Sequence, residues 1–342
     1  MTLPPIKQDK DATALDPNFS TTRLMTMEMP VIVNTPSSKV QSHLFLPPNP
    51  EGRGEGGLRT KGYFKQSYRE TSEVSEKFAV PLVTIITVVF NGEKHLEQTI
   101  QSVISQTYNN VEYIIIDGGS TDGTVDIIRK YEEVIDYWVS EPDQGLYCAM
   151  NKAISLAMGE IIGNLNCGDW YELDAIQNSV LALNDSQADY AYGSVYLVNQ
   201  KGERIGKFSA MTGEKLNQSI YYVQPYPHIS AFVKKLVYLQ EGSFNTKYKV
   251  AADHEFSLRI HTKNYQGVEI KKVLGNIRPG GLSGKIIAKE ESRDIAIEYG
   301  VNKTYAYLLF IYYTINSYLV KVLPHFLVKL VKNLKNSRFG YE

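Results

Sequence analysis

The chain has 342 residues, 43% of them hydrophobic, and a formal net charge of -1. Balanced charge argues against a nucleic-acid partner, and two cysteines, Cys148 and Cys167, are too few for a disulfide framework and fit a reducing compartment. The length allows one large domain or two modest ones, and no charged start with an apolar core marks a secretory leader, so a cytoplasmic location is expected.

Residues 1–78 read as a weakly ordered tail. Eight of the 14 prolines fall before residue 51, and 51–57 read EGRGEGG. Such a composition buries too little apolar surface to offset its ordering entropy. Within it, 29–33 is the one candidate for an isolated strand. Order is expected from about residue 79. Residues 82–90, LVTIITVVF, form a β-branched run without alternation, the mark of a strand covered on both faces. Asn91-Gly92 breaks it, and 93–106 reads as a helix with Leu96, Ile100, Val103 and Ile104 on one face. A second buried strand, 111–116, ends in the acidic glycine-rich loop DGGSTDGT. A helix over 124–131 and a short strand over 137–139 follow. The turn EPDQG at 141–145 leads into a helix over 146–158, with Met150, Ala153, Ile154 and Ala157 as its stripe and Gly159 as its stop. This alternation predicts an α/β fold, with a parallel sheet and right-handed crossovers.

The stretch 159–171, GEIIGNLNCGDWY, holds a short strand that breaks into Asn166-Cys167-Gly168-Asp169. A carboxylate just past the carboxyl end of a buried strand stands where open α/β sheets hold ligands. Asp169 is therefore a candidate ligand for Mg2+ or Mn2+, against the plainer reading of an Asp in a glycine turn. Beyond it, the pattern gives a helix over 174–183, strands near 190–199 and 204–208, a rigid Pro225-Tyr226-Pro227-His228 loop, a strand-turn segment at 230–238, a loop at 242–250 and a helix over 253–261. The glycine-rich loop 280–284 follows. Residues 305–320, YAYLLFIYYTINSYLV, are too few to span a bilayer. Every charged residue between Tyr299 and Tyr341 is basic: Lys303, Lys321, Lys329, Lys332, Lys335 and Arg338. That bias fits interfacial helices on anionic lipid, while packing on the domain is the alternative.

The loop after residue 116 lacks G-x-G-x-x-G spacing, and no G-x-x-x-x-G-K-[ST] occurs. Acidic loops on one sheet edge suit a diphosphate met through a metal ion. The stretch VTIITVVFNGEKHLEQTIQSVISQTYNNVEYIIIDGGSTDGT, then EPDQGLYCAMNKAISLAMGEIIGNLNCGDWY, then PHISAFVKKLVYLQEGSFNTKYKVAADHEFSLRI with GGLSG, resembles family 2 glycosyltransferases of the GT-A fold. The likeness is to the bacterial exopolysaccharide and colanic-acid-type branch, and it covers about 81–284.

The resemblance implies a GT-A mixed sheet flanked by helices over 79–290, with a donor-nucleotide half (79–185) and an acceptor half (186–290); beyond it, the apolar and basic composition gives C-terminal helices at 291–342. It puts Asn91, Glu93, Gln144, Gly145, Asn151, Lys152 and Asn166 at the donor, with Asp117 reading the nucleobase edge. Asp122 reads instead as a helix cap. Asp169 would hold the metal, although Gly168 stands where the family usually has a second carboxylate. Asp253 would be the catalytic base, with His228, Glu255, Arg259 and Ser283 as acceptor-side or supporting residues. The implied activity is inverting transfer from a nucleotide-sugar donor, most simply a UDP-sugar, to a saccharide or lipid-linked saccharide on the inner membrane surface. Two other classes are a sugar nucleotidyltransferase, which would release pyrophosphate from UTP, and a binding module that takes the donor without turnover.

Overall fold

The computed structural model describes residues 14–69, 79–281 and 285–322, with side chains to 315. The end of the expected C-terminal helices, Ser283 and the four last basic residues lie outside it. In chain order the strands are β1 (Gly54–Gly56), β2 (Tyr68–Arg69), β3 (Ala79–Val80), β4 (Val83–Val89), β5 (Val111–Asp117), β6 (Tyr137–Ser140), β7 (Ile161–Asn164), β8 (Trp170–Tyr171), β9 (Tyr190–Val198), β10 (Arg204–Phe208), β11 (Phe232–Lys234) and β12 (Gly267–Ile277). The helices are α1 (Leu96–Ile104), α2 (Thr124–Lys130), α3 (Leu146–Leu156), α4 (Ala175–Ser186), α5 (Gly213–Ser219), α6 (Lys235–Glu241), α7 (Ala252–Thr262), α8 (Ile286–Glu298) and α9 (Lys303–Val322).

One mixed sheet runs β1-β6-β5-β4-β7-β11-β9-β12-β8, with β10 on β9. The block from β6 to β7 is parallel, as its buried apolar runs require. Along β4, Ile86 and Val88 pack on the α3 side with Met150 and Ile154, while Val83, Ile85 and Val89 meet α1 through Leu96, Ile100 and Val103. The rest of the sheet is mixed: β11 is antiparallel to β7 and β9, and β12 is parallel to β9.

Two expectations need correction. Residues 14–69 are not a loose tail, and 29–33 forms no strand, with Met29, Val31 and Val33 exposed. The segment is a strap that shares the domain's core. It buries Met25, Leu58 and Phe64, and adds β1 to the sheet edge against β6. Arg59 Nη2 meets Glu112 Oε1 at 2.6 Å, with both side chains 2% exposed. Lys65 pairs with buried Asp136 at 3.4 Å. Composition alone fails here because the strap does not bury its own surface; it buries against strands already present. β12 lies where the sequence pattern gave no element, and its Glu269, Lys271 and Lys272 break any apolar run. Its pairing with β9 shifts register twice between Ile270 and Gly275, which scrambles the alternation a strand normally displays.

Candidate active site

Loops at the carboxyl ends of β4, β5 and β7 form one bank of a cleft of 1170 Å³, and the start of α3, the 222–229 segment, α7, the end of β12, α8 and α9 also line it. This is the sheet edge where open α/β folds bind ligands. The first two loops are laced together. Asn91, with φ 53°, takes the Thr121 N–H on its side-chain oxygen at 2.9 Å. The Glu93 amide donates to Asp122 (3.2 Å), and the Glu93 carboxylate accepts from the Gly123 amide (3.3 Å). Asp122 also accepts from the Thr124 N–H, but the N-cap position of α2 belongs to Gly123, so Asp122 tethers the helix start from one residue ahead of the cap. Gly92 cannot be larger, because a Cβ there would lie 2.6 Å from Cys167 Sγ and 2.4 Å from Val89 Cγ2.

Asp117 does not reach the cleft surface. It is 0% exposed, and its carboxylate accepts from the Ser120 N–H (3.0 Å), the Ser120 hydroxyl and the Ser140 hydroxyl (2.6 Å). The cleft meets that loop at Gly118. Lys152 bridges Glu141 and Asp143, the latter at 2.5 Å, and so clamps α3 to the 141–145 turn. Of that turn, Asp143 and Gly145 line the cleft, whereas Gln144 is exposed outside it. Asn151 grips the Phe244 main chain in both directions, at 2.8 and 2.9 Å, and likewise stands off the cleft.

Asn166 and Asp169 both line the cleft. Asn166 Oδ1 is shielded from solvent without a hydrogen-bond partner among the described residues. One Asp169 oxygen accepts the Arg278 N–H at 3.1 Å. Burial pushes the Asp169 carboxyl up to about 7, against the pull of Arg278. Gly168 has φ 99°, a conformation that strains any side chain, so the turn itself accounts for the missing carboxylate. Among the described residues no cluster of three or more His, Cys, Asp or Glu could hold a metal. The donor set is one carboxylate beside an orphaned amide oxygen. Oxygen ligands with positions left for water and phosphate fit Mg2+ or Mn2+, held weakly by the protein alone.

Asp253, in the first turn of α7, lines the same cleft and accepts a hydrogen bond from the Tyr147 hydroxyl at 2.8 Å. His228 stands in the cleft wall with its ring edge-on to Phe244. Its Nε2 has no partner among the described residues, and burial pushes the imidazole down, against Asp253. Glu255 and Arg259 serve the scaffold. Glu255 takes Arg259 at 3.2 Å and the Tyr299 hydroxyl at 2.6 Å, and Arg259 caps the carbonyls of Glu241 and Ser243.

Three residues went unnoticed in the sequence. Arg278 lines the cleft, bonds the Gly168 carbonyl and Gln98, and stacks on Trp170 with 4.6 Å to the ring centroid. Its signal was its place two residues ahead of the glycine loop, with Pro279 between. Tyr147 lies three residues before Met150, on the same helical face. Glu291 of α8 collects the amides of Lys249, Val250 and Ala251 at 2.7–2.8 Å, which fixes the approach to α7.

The family model Glycosyl transferase family 2 matches residues 84–245. An uncharacterized glycosyltransferase of Mycobacterium tuberculosis is 31% identical over 186 residues, covering 53% of this chain and 69% of the relative. The putative teichuronic acid biosynthesis glycosyltransferase TuaG of Bacillus subtilis is 31% identical over 131 residues, 37% of this chain and 52% of TuaG. Among solved structures, S. aureus TarS 1-349 in complex with UDP-GlcNAc aligns with TM-score 0.51 at 17% identity, over 70% of this chain and 72% of that one. Mannosyltransferase PcManGT from Pyrobaculum calidifontis, in complex with GDP-Man and Mn2+, aligns with TM-score 0.51 at 16% identity, over 75% and 80%. These two establish the fold, the GT-A arrangement of a mixed sheet between helices. With sequence relatives of that extent and identity, the chain belongs to glycosyl transferase family 2.

Proposed function

We propose that the chain moves one sugar from a nucleotide-sugar, most simply a UDP-sugar, to the hydroxyl of a saccharide or lipid-linked saccharide, with inversion. The observation that carries this reading is that Asp253 and Asp169, 84 positions apart in the chain, line one cleft. In this reading Asp253 accepts the proton of the acceptor hydroxyl as its oxygen attacks the anomeric carbon. A single displacement of that kind inverts the centre. Asn166 and Asp169 would hold Mg2+ or Mn2+, which when bound offsets negative charge on the departing diphosphate. Arg278, a fixed cation beside them, would act on the same charge from the protein side. His228 stays neutral against the acceptor side of the cleft.

The reading extends to location. Tyr305, Leu308, Ile311, Tyr312 and Ile315 of α9 are exposed, and the region from Tyr299 to Tyr341 carries basic charges alone. No helix among the described residues is long and apolar enough to cross a membrane. An apolar face with basic neighbours suits the surface of an anionic bilayer, here the inner face of the plasma membrane. An exopolysaccharide-type product fits such a place.

The test starts with donor identity. UDP-glucose, UDP-GlcNAc, GDP-mannose and dTDP-rhamnose are screened by thermal shift with and without Mn2+. With the donor that shifts most, Asp253→Asn is expected to lower turnover by about 100–10,000-fold and leave donor binding intact. Undiminished turnover in that variant removes Asp253 as the base.

A further inference from the structure

Tyr147 begins α3 alongside Leu146, is 5% exposed and lines the cleft, and the chemistry above gives it no part. Its hydroxyl oxygen lies 2.8 Å from Asp253 Oδ1 and 2.8 Å from the Val250 carbonyl oxygen. A phenol carries one proton, so it donates to one of these acceptors at a time. Both acceptors are held from elsewhere. The Val250 and Ala251 amides each donate to Glu291 Oε2 at 2.8 Å, and Asp253 sits on the first turn of α7. The phenol ring is held too. It packs on Phe244 at 5.5 Å, and Asn151, one turn along α3, grips the Phe244 main chain.

We propose that Tyr147 is the positioning residue for the Asp253 base, a two-position hydroxyl whose proton follows the charge on that carboxylate. The inference rests on Asp253 being the base. While Asp253 is ionised, the phenol proton lies on Oδ1, because a charge-assisted hydrogen bond outweighs one to a neutral carbonyl. That bond fixes the carboxylate plane and leaves Oδ2 for the acceptor. The acceptor's proton then passes to Oδ2 as its oxygen bonds to the anomeric carbon. The bond from that carbon to the diphosphate oxygen breaks, and its electron pair leaves with the diphosphate. Asp253 is now neutral, and the phenol proton turns to the Val250 carbonyl at the same distance. No heavy atom has to move, so the site reorganises little as the charge leaves Asp253. Tyr147 keeps its own proton throughout: burial first, and then Asp253, push the phenol well above its ordinary value.

The experiment is a double-mutant cycle between Tyr147→Phe and Asp253→Asn on the full chain. The substrate is whichever of the four screened sugar nucleotides shifts the protein most. The reaction followed is its slow hydrolysis, with water as acceptor and release of nucleoside diphosphate as the readout. Tyr147→Phe is expected to lower kcat by about 10–100-fold, the worth of a hydrogen bond to a charged group. KM and the Kd for the matching nucleoside diphosphate should stay within about twofold, and thermal unfolding should confirm a folded variant. In the Asp253→Asn background the same change should cost nothing further. An equal loss in both backgrounds, or a change in Kd at constant kcat, would overturn the positioning role. If Asp253→Asn is inactive and Tyr147→Phe is not impaired, this inference alone fails. If Asp253→Asn is fully active, the base assignment fails with it.

Discussion

Replacing Arg59 by Met is the sharpest test of the strap. The guanidinium is held by Glu112 at 2.6 Å, by the Leu156 carbonyl at 2.9 Å and by the Leu44 carbonyl at 3.0 Å. Burial pushes the Glu112 carboxyl up, but Arg59, Thr84 and the Met158 amide outweigh it and hold it below its ordinary value. Met fills much of the volume and removes the charge. Glu112 is then left with Thr84 and the Met158 N–H, and two carbonyls lose a donor. Removing one partner of a buried pair costs about 3–5 kcal/mol. At about 2–4 °C per kcal/mol, the melting temperature should fall by roughly 6–20 °C.

The control lies two residues away. Lys61 meets Glu133 at 2.5 Å, but the two side chains are 35% and 80% exposed. Water and salt screen that pair, so Lys61→Met should cost less than about 1 kcal/mol. Urea unfolding of both variants, with thermal melts alongside, makes the comparison. Adding Glu112→Met to Arg59→Met should recover part of the loss, since no charge is then buried alone. If Arg59→Met and Lys61→Met prove equally mild, the strap is not part of the folded core.

Gly168→Asp would restore the second carboxylate by composition only. With φ 99° and its Cβ directed at His95, 3.8 Å away, the side chain should cost on the order of 1–3 kcal/mol without tightening Mn2+ binding, as measured by calorimetry. Tighter Mn2+ at unchanged stability would contradict this. Asp122→Ala should cost about 0.5–2 kcal/mol, because Asp122 holds the Thr124 and Glu93 amides. Burial raises the Asp122 carboxyl, but its hydrogen bonds from Thr124 and Glu93 together outweigh burial and hold it below 3.8. A depressed folded value means stability present above 3.8 and lost as pH falls through the folded value, so the gap to wild type should close in acid, as read by urea midpoints. A gap that widens in acid would be incompatible with this sign. Leu308→Glu with Ile311→Glu should release the protein from sedimenting vesicles rich in anionic lipid. Retention of both variants on the pellet would put the membrane contact elsewhere.

What the sequence displayed depended on how far each signal travels along the chain. The runs that became β4 and β5 were legible because strands covered on both faces must be apolar throughout. Asp169 was singled out by its place past a strand end and Asp253 by the family resemblance, and both line the one cleft. Asp117 shows the limit of that reasoning. It was read as the first loop residue after a strand, but it is the last residue of β5, and Ser140, 23 residues on, holds the carboxylate inward. Lys152 shows it again, for its partners Glu141 and Asp143 leave no lone cation for a phosphate.

The strap carries the point furthest, because it joins the part judged structureless to the part judged functional. Arg53 Nη1 donates to the carbonyls of Gly119 and Ser120, the loop that packs around Asp117. Asn49 Nδ2 donates to Glu141 Oε2 at 2.8 Å, and Glu141 holds Lys152. The loop after β5 and the turn at 141–145 are therefore both braced by strap residues whose neighbours are mostly Gly, Pro and Asn. No local periodicity announces such contacts, since a strap needs single polar side chains at the right stations rather than an amphipathic face. Its low apolar content is what allows it to follow the domain surface, and the order it gains comes from the loops it holds.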